Sequence, residues 1–171
     1  MNRLTFERMT RQHIPEVQAI ERICFENTWP EDAFLNEIER NGAACYLVAL
    51  REGQVLGYAG AWLILDEMHI TSVAVCPELR GRGIGKRLFW HLMQAAVDHG
   101  CEWSGLEVRP TSQAAIAMYE AFGFTRVGVR KKYYDGRDDA LVMWVEGLQA
   151  SEYARRMEAL RSTWESAELR P

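Results

Sequence analysis

The stretch 72–100 constrains the fold of this chain most, because it reads as a strand, a glycine-rich loop and a helix in direct succession. An apolar run over 68–76 is rich in β-branched residues, which favours a strand. Pro77 ends the run because proline cannot donate to a sheet ladder. From Leu88 onward the apolar residues repeat at helical spacing, and Gly100 marks the predicted helix end.

The loop between this strand and this helix has three glycines within five positions. Its residues are Arg80, Gly81, Arg82, Gly83, Ile84, Gly85 and Lys86. Glycines leave backbone N–H groups uncovered at the start of a helix, where they bind anions and most naturally a phosphate. The spacing fits neither the Walker loop G-x-x-x-x-G-K-[ST] nor the dinucleotide fingerprint G-x-G-x-x-G. The loop therefore predicts a phosphate site of another class, with a plain connecting turn as the alternative.

The remaining periodicities predict an α/β fold. Expected strands are a short one at 4–6 and others at 44–50, 55–65, 68–76, 103–108, 124–133 and 140–145; expected helices are 15–24, 31–40, 113–122 and 151–168 besides the one after the loop. Strand 103–108 follows strand 68–76 through a helix, so the two should be parallel neighbours. We expect one mixed sheet of about seven strands with helices on both faces.

Charge and apolar runs exclude some classes of protein. The chain carries 20 basic and 24 acidic residues, and this net charge of −4 argues against a general nucleic-acid binder. Apolar runs fall short of the ~20 residues that a membrane span needs. The first ten residues lack the apolar core of a signal peptide. A cytoplasmic protein without nucleic-acid or membrane partners is expected.

The cysteines and histidines do not form a metal-ligand pattern. The cysteines at 24, 45, 76 and 101 show no C-x-x-C spacing, and the histidines at 13, 69, 91 and 99 are scattered. This distribution predicts reduced, structural thiols and no metal site.

Three segments carry a resemblance to a known family. The loop R-G-x-G-x-G after V-A-V-x-P resembles the acyl-coenzyme A loop of the GNAT superfamily of N-acetyltransferases. The run LEVRPTSQAAIAMYEAFGF is similar to one in the RimI-type ribosomal-protein-alanine N-acetyltransferases, as are RKKYYDGRDDALVM and LDEMHITSVAV. The resemblance spans roughly residues 3 to 147. It implies the GNAT fold, with a mixed, mostly antiparallel seven-stranded sheet in a domain over 1–148. The last helix lies beyond the resemblance and is expected to form a C-terminal helical extension over 149–171.

The resemblance also implies a catalytic pair. An α-amine has a pKa near ~8 and is mostly protonated at neutral pH, so a base must take its proton before it attacks a thioester. By resemblance Glu107 is this base, and Tyr119 gives its hydroxyl proton to the departing sulfur. Without the motif, Glu107 would be taken for a solvated surface residue and Tyr119 for a core residue.

Contacts with acetyl-CoA carry over in the same way. The backbone of Val73, Ala74 and Val75 would pair with the pantetheine arm, as an added strand pairs with a sheet edge. The loop 80–86 would wrap the pyrophosphate. Ser112 stands where the family usually has asparagine, and its hydroxyl would offer the pantetheine arm one donor fewer.

The acceptor contacts implied by the resemblance are aromatic. Trp29 and the hairpin residues Tyr133 and Tyr134 would flank the substrate's N-terminus. For Trp29 the alternative is a packing role between helices.

The function implied is transfer of acetyl from acetyl-CoA, without a metal, to a protein N-terminus, with the N-terminal alanine of a small-subunit ribosomal protein as the family's substrate. Two alternatives stay open: the same chemistry on a small-molecule amine, and a catalytically silent CoA-binding module. Intact Glu107 and Tyr119 argue against the silent module, and the tyrosine hairpin favours a peptide. A monomer or weak dimer is expected.

Overall fold

A computed structural model of the chain describes residues 3–168. The outermost positions of the predicted segments, 1–2 of the domain and 169–171 of the extension, lie outside the described residues. The division into a domain over 1–148 and an extension over 149–171 stays a prediction.

The described residues alternate between strands and helices. The strands are β1 (Leu4–Arg8), β2 (Ala44–Arg51), β3 (Gln54–Ile64), β4 (Glu67–Val75), β5 (Trp103–Val108), β6 (Thr125–Tyr134) and β7 (Asp138–Glu146). The α-helices are α1 (Ile14–Cys24), α2 (Ala33–Glu39), α3 (Ile84–His99), α4 (Gln113–Ala121) and α5 (Ser151–Glu168). Short 3₁₀ turns lie at Arg11–His13 and Pro77–Leu79.

The strands hydrogen-bond in the order β1-β2-β3-β4-β5-β7-β6. β5 pairs in parallel with β4 and antiparallel with β7, and β7 pairs antiparallel with β6. β1 with β2 and β2 with β3 are also antiparallel. The predicted α/β class and the mixed, mostly antiparallel seven-stranded sheet are therefore confirmed.

The chain divides into two compact units. The first takes the chain up to Leu63 together with Thr71–Ala95, and the second takes Ile64–Ile70 and the chain from Ala96 onward. The core of the first unit is a cluster of side chains from α1, α2 and strands β2 to β4, among them Val17, Phe34, Val48 and Tyr58.

The second unit buries one stripe of each helix that flanks its strands. Ile116 and Phe122 are buried in and just after α4, and Tyr153 and Met157 in α5. The last helix thus packs on its own unit through Tyr153 and Met157.

The start of α3 corrects the predicted loop. Ile84, Gly85 and Lys86 were expected in the loop 80–86, but they form the first turn of the helix. Gly81 and Gly83 have φ of +76° and +78°, a backbone conformation that favours glycine. Gly85 is helical, and a Cβ there would meet Val75 Cγ2 at 3.4 Å. A Cβ at Gly85 would therefore make only an ordinary van der Waals contact, and the other two glycines supply the left-handed turn.

Other element bounds differ from prediction by one or two residues, and two of these differences concern the hairpin and the second helix. Tyr134 was placed in the turn but is the last residue of β6, because it pairs with Asp138 across the hairpin. The helix expected from residue 31 begins at Ala33, after a turn at 31–32.

Candidate active site

Glu107 on β5 is the most enclosed charged side chain of the second unit's candidate site, with 6% of the side chain exposed. Its Oε2 lies 3.1 Å from Nε2 of His69, and its Oε1 lies 3.5 Å from Nη1 of Arg130. The carboxylate therefore has a partner on each oxygen, as a buried charge requires.

Strand pairing explains how these three residues meet. His69 pairs with Gly105, and Glu107 follows two positions later on the same face. Across the sheet, Glu107 pairs with Val142, and Arg130 lies on β6 opposite Ala140, two residues from Val142. Period-two alternation thus places all three on one face of the sheet.

Electrostatics keep this carboxylate ionised. Burial raises the pKa of Glu107, but the hydrogen bond with His69 and the charges of His69 and Arg130 outweigh it and hold the pKa below its ordinary value. The same hydrogen bond raises the pKa of His69 despite its burial, with a further contribution from Glu67 and opposition from Arg130. Glu107 is consequently an ionised proton acceptor at neutral pH.

Tyr119 lies on α4, and 7% of the residue is exposed. Burial raises the pKa of its hydroxyl well above the ordinary value, and Tyr134 adds to the rise. A phenol in this state keeps its proton near neutral pH, so it can act as a proton donor.

The β6–β7 hairpin joins aromatic rings to two arginines. Tyr133 and Tyr134 meet edge to face with centroids 5.0 Å apart. The guanidinium of Arg109 lies 4.2 Å from the Tyr134 ring centroid and donates to Asp138 Oδ2 at 2.8 Å. Arg130, the Glu107 partner, lies 5.8 Å from the Tyr133 ring centroid. Burial raises the pKa of Tyr134 to about 12, and Glu107 contributes to the rise. The hairpin tyrosines and Glu107 therefore share one electrostatic neighbourhood.

Ser112 precedes α4 as its N-terminal capping residue. Among the described residues its hydroxyl makes no capping hydrogen bond, so the side chain is not committed to the helix. Its predicted pantetheine contact remains a prediction.

The first unit contains the predicted acetyl-CoA residues. Val73, Ala74 and Val75 end β4, and Arg80 to Gly83 form an exposed turn before α3. Ideal Cβ atoms at Gly81 and Gly83 would meet nothing within 4 Å. This turn fits a phosphate group for three reasons. Its glycines carry no side chains, the space beside them is open, and it leads into the N-terminus of a 16-residue helix.

One side chain connects this turn to its strand. The thiol of Cys24 lies 3.6 Å from the Val75 carbonyl oxygen, to which it donates, and accepts from Arg80 Nη2 at 3.2 Å. The last residue of α1 thus contacts both predicted acetyl-CoA segments.

Trp29 packs within the first unit. Its ring stacks on Phe34 with centroids 5.1 Å apart and meets Tyr46 edge-on, while its backbone N–H donates to Glu21 Oε1. These contacts agree with the packing alternative, and its acceptor role stays a prediction.

The structure thus groups Glu107, Tyr133 and Tyr134 in the second unit, and the β4 end with the glycine turn in the first. Sequence reasoning missed His69 and Arg130. A usable signal existed, because the predicted parallel pairing of the two strands and their alternation place His69 beside Glu107.

Three further features concern metals, thiols and membranes. Among residues 3–168, no three His, Cys, Asp or Glu side chains gather in a group that could hold a metal ion. The four cysteines, all within this range, are free thiols. In the described part of the chain, no helix is long and apolar enough to span a membrane.

A family model, two relatives and one solved structure that this chain matches are all of acetyltransferases. The model of the acetyltransferase (GNAT) family matches residues 14–124. A Bacillus subtilis protein, provisionally named a ribosomal protein bS18-alanine N-acetyltransferase, is 37% identical over 80% of this chain and 91% of its own length. The Escherichia coli protein named ribosomal protein bS18-alanine N-acetyltransferase is 32% identical over 81% of this chain and 95% of its own. The crystal structure of the ribosomal-protein-S18-alanine N-acetyltransferase from Escherichia coli has a TM-score of 0.78 at 29% identity, covering 88% of this chain and 97% of that chain.

Proposed function

This chain belongs to the acetyltransferase (GNAT) family and is an acetyl-CoA-dependent N-acetyltransferase, and from this premise we propose that its acceptor is the N-terminal alanine of a small-subunit ribosomal protein. The observation that carries the proposal is its likeness to bS18-alanine acetyltransferases along nearly their whole length. The enclosed, ionised Glu107 suits an amine acceptor, because it can take the proton that blocks attack.

Glu107 acts as the base in this proposal. The N–H bond of the acceptor ammonium breaks, and its proton passes to the Glu107 carboxylate. The freed electron pair forms the new carbon–nitrogen bond to the acetyl carbon, the carbon–sulfur bond breaks, and the nitrogen loses its second proton to water as the amide forms. The low pKa of Glu107 makes it a weak base for an amine, so its enclosed position and fixed orientation supply much of its effect.

Tyr119 acts as the acid. Its hydroxyl gives a proton to the sulfur that leaves, so that coenzyme A departs as a thiol. The raised pKa of Tyr119 keeps this proton in place at neutral pH but makes the phenol a weak acid toward a thiolate, so its position supplies much of its effect, and the phenolate then regains a proton from water.

The first unit binds the donor. The backbone of Val73, Ala74 and Val75 pairs with the pantetheine arm, and the turn with the first residues of α3 holds the pyrophosphate through N–H groups and cations. Ser112 contributes a hydroxyl to the pantetheine arm. No metal takes part in the proposed reaction.

The acceptor contacts are proposed for aromatic residues. Tyr133 and Tyr134 flank the N-terminal residue of the acceptor, and Trp29 supports its path. An aromatic hairpin favours a peptide end over a small polar amine. We place the enzyme in the cytoplasm as a monomer or weak dimer, without nucleic-acid or membrane partners.

The test uses synthetic peptides that begin with a free alanine. Mass spectrometry should find a single acetyl group on the α-amine, and the same peptides blocked at that amine should stay unmodified. More efficient turnover of a lysine side chain or of a polyamine would contradict the peptide-end acceptor.

A further inference from the structure

His69 stands in direct contact with Glu107, the proposed base. Its Nε2 lies 3.1 Å from Glu107 Oε2, and 28% of its side chain is exposed. Glu107 is ionised near neutral pH, so a hydrogen must lie on Nε2 for this contact to attract. The imidazole can be neutral and still donate this bond, because its second nitrogen then carries no proton.

The charge of His69 decides the net charge beside the amine site. With a neutral imidazole, the Glu107 carboxylate and the Arg130 guanidinium cancel each other. With a protonated imidazole, the three groups carry a net positive charge, which repels an ammonium ion and ties the carboxylate more firmly to its partners. The two protonation states should therefore differ in acceptor use.

Other ionisable groups face the same cluster. Glu67, on β4 with His69, favours the charged imidazole, and Arg130 of β6 disfavours it. The hydroxyls of Tyr133 and Tyr134 also interact with Glu107 and stay neutral in this pH range, because burial raises both pKa values.

We propose that His69 is a positioning residue for acetyl transfer, whose Nε2–H orients the Glu107 carboxylate and whose neutral form the reaction requires. The inference rests on the proposed function. In the transfer step the ammonium proton passes to Glu107, which later releases it to water, and His69 neither gains nor loses a proton. Its contribution is orientation, and its titration sets the fraction of competent enzyme.

Two substitutions separate orientation from titration. Glutamine at position 69 keeps an N–H donor of similar reach but cannot titrate, whereas alanine loses the donor. We expect His69→Gln to keep kcat within a few-fold, and His69→Ala to lose about 10- to 100-fold, as for a hydrogen bond to a charged group. Equal losses in both variants would indicate a structural role and contradict the inference.

The pH profile gives a readout that packing alone would not move. The pKa of His69 is raised, so the competent neutral form accumulates as pH increases through that value. Between about pH 5.5 and 6.5, log kcat/KM should rise more steeply with pH in the wild type than in His69→Gln, by up to one unit of slope. His13→Gln is the matched control, since His13 Nε2 lies 3.6 Å from Glu7 Oε1 in the first unit, and it should keep the wild-type slope.

An NMR titration tests the contact without any turnover. The imidazole signal of His69 is identified as the one that is missing in His69→Gln. The pKa read from this signal should fall in Glu107→Gln. An unchanged pKa would overturn the inference whether or not transfer occurs. An active wild type whose slope equals that of His69→Gln would overturn the inference alone. Failure of the wild type to acetylate the peptide at any pH would overturn the proposed function and, with it, the role of His69.

Discussion

At the scale of single residues, the second unit gives Glu107 and Tyr119 opposite proton states. His69 and Arg130 hold the pKa of Glu107 low, whereas burial holds that of Tyr119 high. A deprotonated carboxylate and a protonated phenol can therefore coexist at neutral pH. This is the pairing that an amine deprotonation and a thiolate protonation need.

Glu107→Gln and Tyr119→Phe should each lower kcat by ~100- to 10,000-fold, the range for a positioned acid or base. Acetyl-CoA affinity should change little in Glu107→Gln, because the carboxylate is assigned to the amine and not to the cofactor. Raising the pH from about 6 to 10 should partly restore Glu107→Gln, since the free amine then becomes abundant. Tyr119→Phe should not recover, because its missing proton is needed at the sulfur. Steady-state kinetics with an alanine-initiated peptide measures both.

Matched controls exist for both changes. Glu120→Gln alters an exposed glutamate that pairs with Arg126, and Tyr153→Phe removes a buried hydroxyl of α5. Both should keep wild-type kcat. Full activity of Glu107→Gln at neutral pH would remove Glu107 as the base.

At the scale of elements, the turn before α3 combines backbone geometry with open space. Gly83 has φ of +78° and nothing within 4 Å of an ideal Cβ. Gly53, in the turn between β2 and β3, has φ of +80° and equally open surroundings. Both positions need a positive φ that favours glycine, but only Gly83 is proposed to contact acetyl-CoA.

Gly83→Ala and Gly53→Ala should therefore lose similar stability, about 1–2 kcal/mol of unfolding free energy from left-handed strain. Only Gly83→Ala should weaken acetyl-CoA binding, by roughly tenfold or more, because a methyl group then covers N–H donors at the helix start. Urea denaturation and calorimetric titration measure the two effects. Unchanged affinity in folded Gly83→Ala would remove the turn from the acetyl-CoA site.

At the scale of the whole molecule, α5 is the segment that follows the last predicted strand and lies beyond the family match at 14–124. It packs within the second unit, because Tyr153 and Met157 are buried and Arg156 donates to the Ala121 carbonyl oxygen at 3.2 Å. Just before it, the Gln149 amide donates to the carbonyls of Val97 and Cys101. These contacts make α5 part of the unit's stability.

Met157→Ala should accordingly lower the free energy of unfolding by about 2–4 kcal/mol, the cost of removing a buried methionine side chain. Arg155→Ala changes an exposed neighbour on the same helix and should stay within about 0.5 kcal/mol of the wild type. Urea denaturation monitored by circular dichroism compares them. Equal stability of both variants would show that α5 is a dispensable extension.

Local sequence determined the elements of this protein. Strand β5 and helix α5 begin and end where the hydrophobic periodicity predicts. When one face of an element is buried, apolar residues recur every two positions in a strand and about every 3.6 positions in a helix. Pro77 marked the end of β4 because proline has no backbone N–H to donate, and Gly100 marked the end of α3 because glycine allows the backbone angles found there. The motif around Tyr119 predicted the candidate catalytic pair through resemblance to the family.

Only the tertiary structure decided what surrounds that pair. His69 and Arg130 reach Glu107 because β4, β5, β6 and β7 pair in a definite register, which is a property of the assembled sheet. The scattered spacing of the histidines therefore did not single out His69 in the sequence, although His69 contacts the candidate base. The structure also decided where α3 begins, because Gly85 suggested a loop in the sequence but lies in the first turn of the helix, without the positive φ of Gly81 and Gly83. Periodicity and turn chemistry act between near neighbours, whereas ionisation and partner choice depend on groups that folding alone brings within a few ångströms.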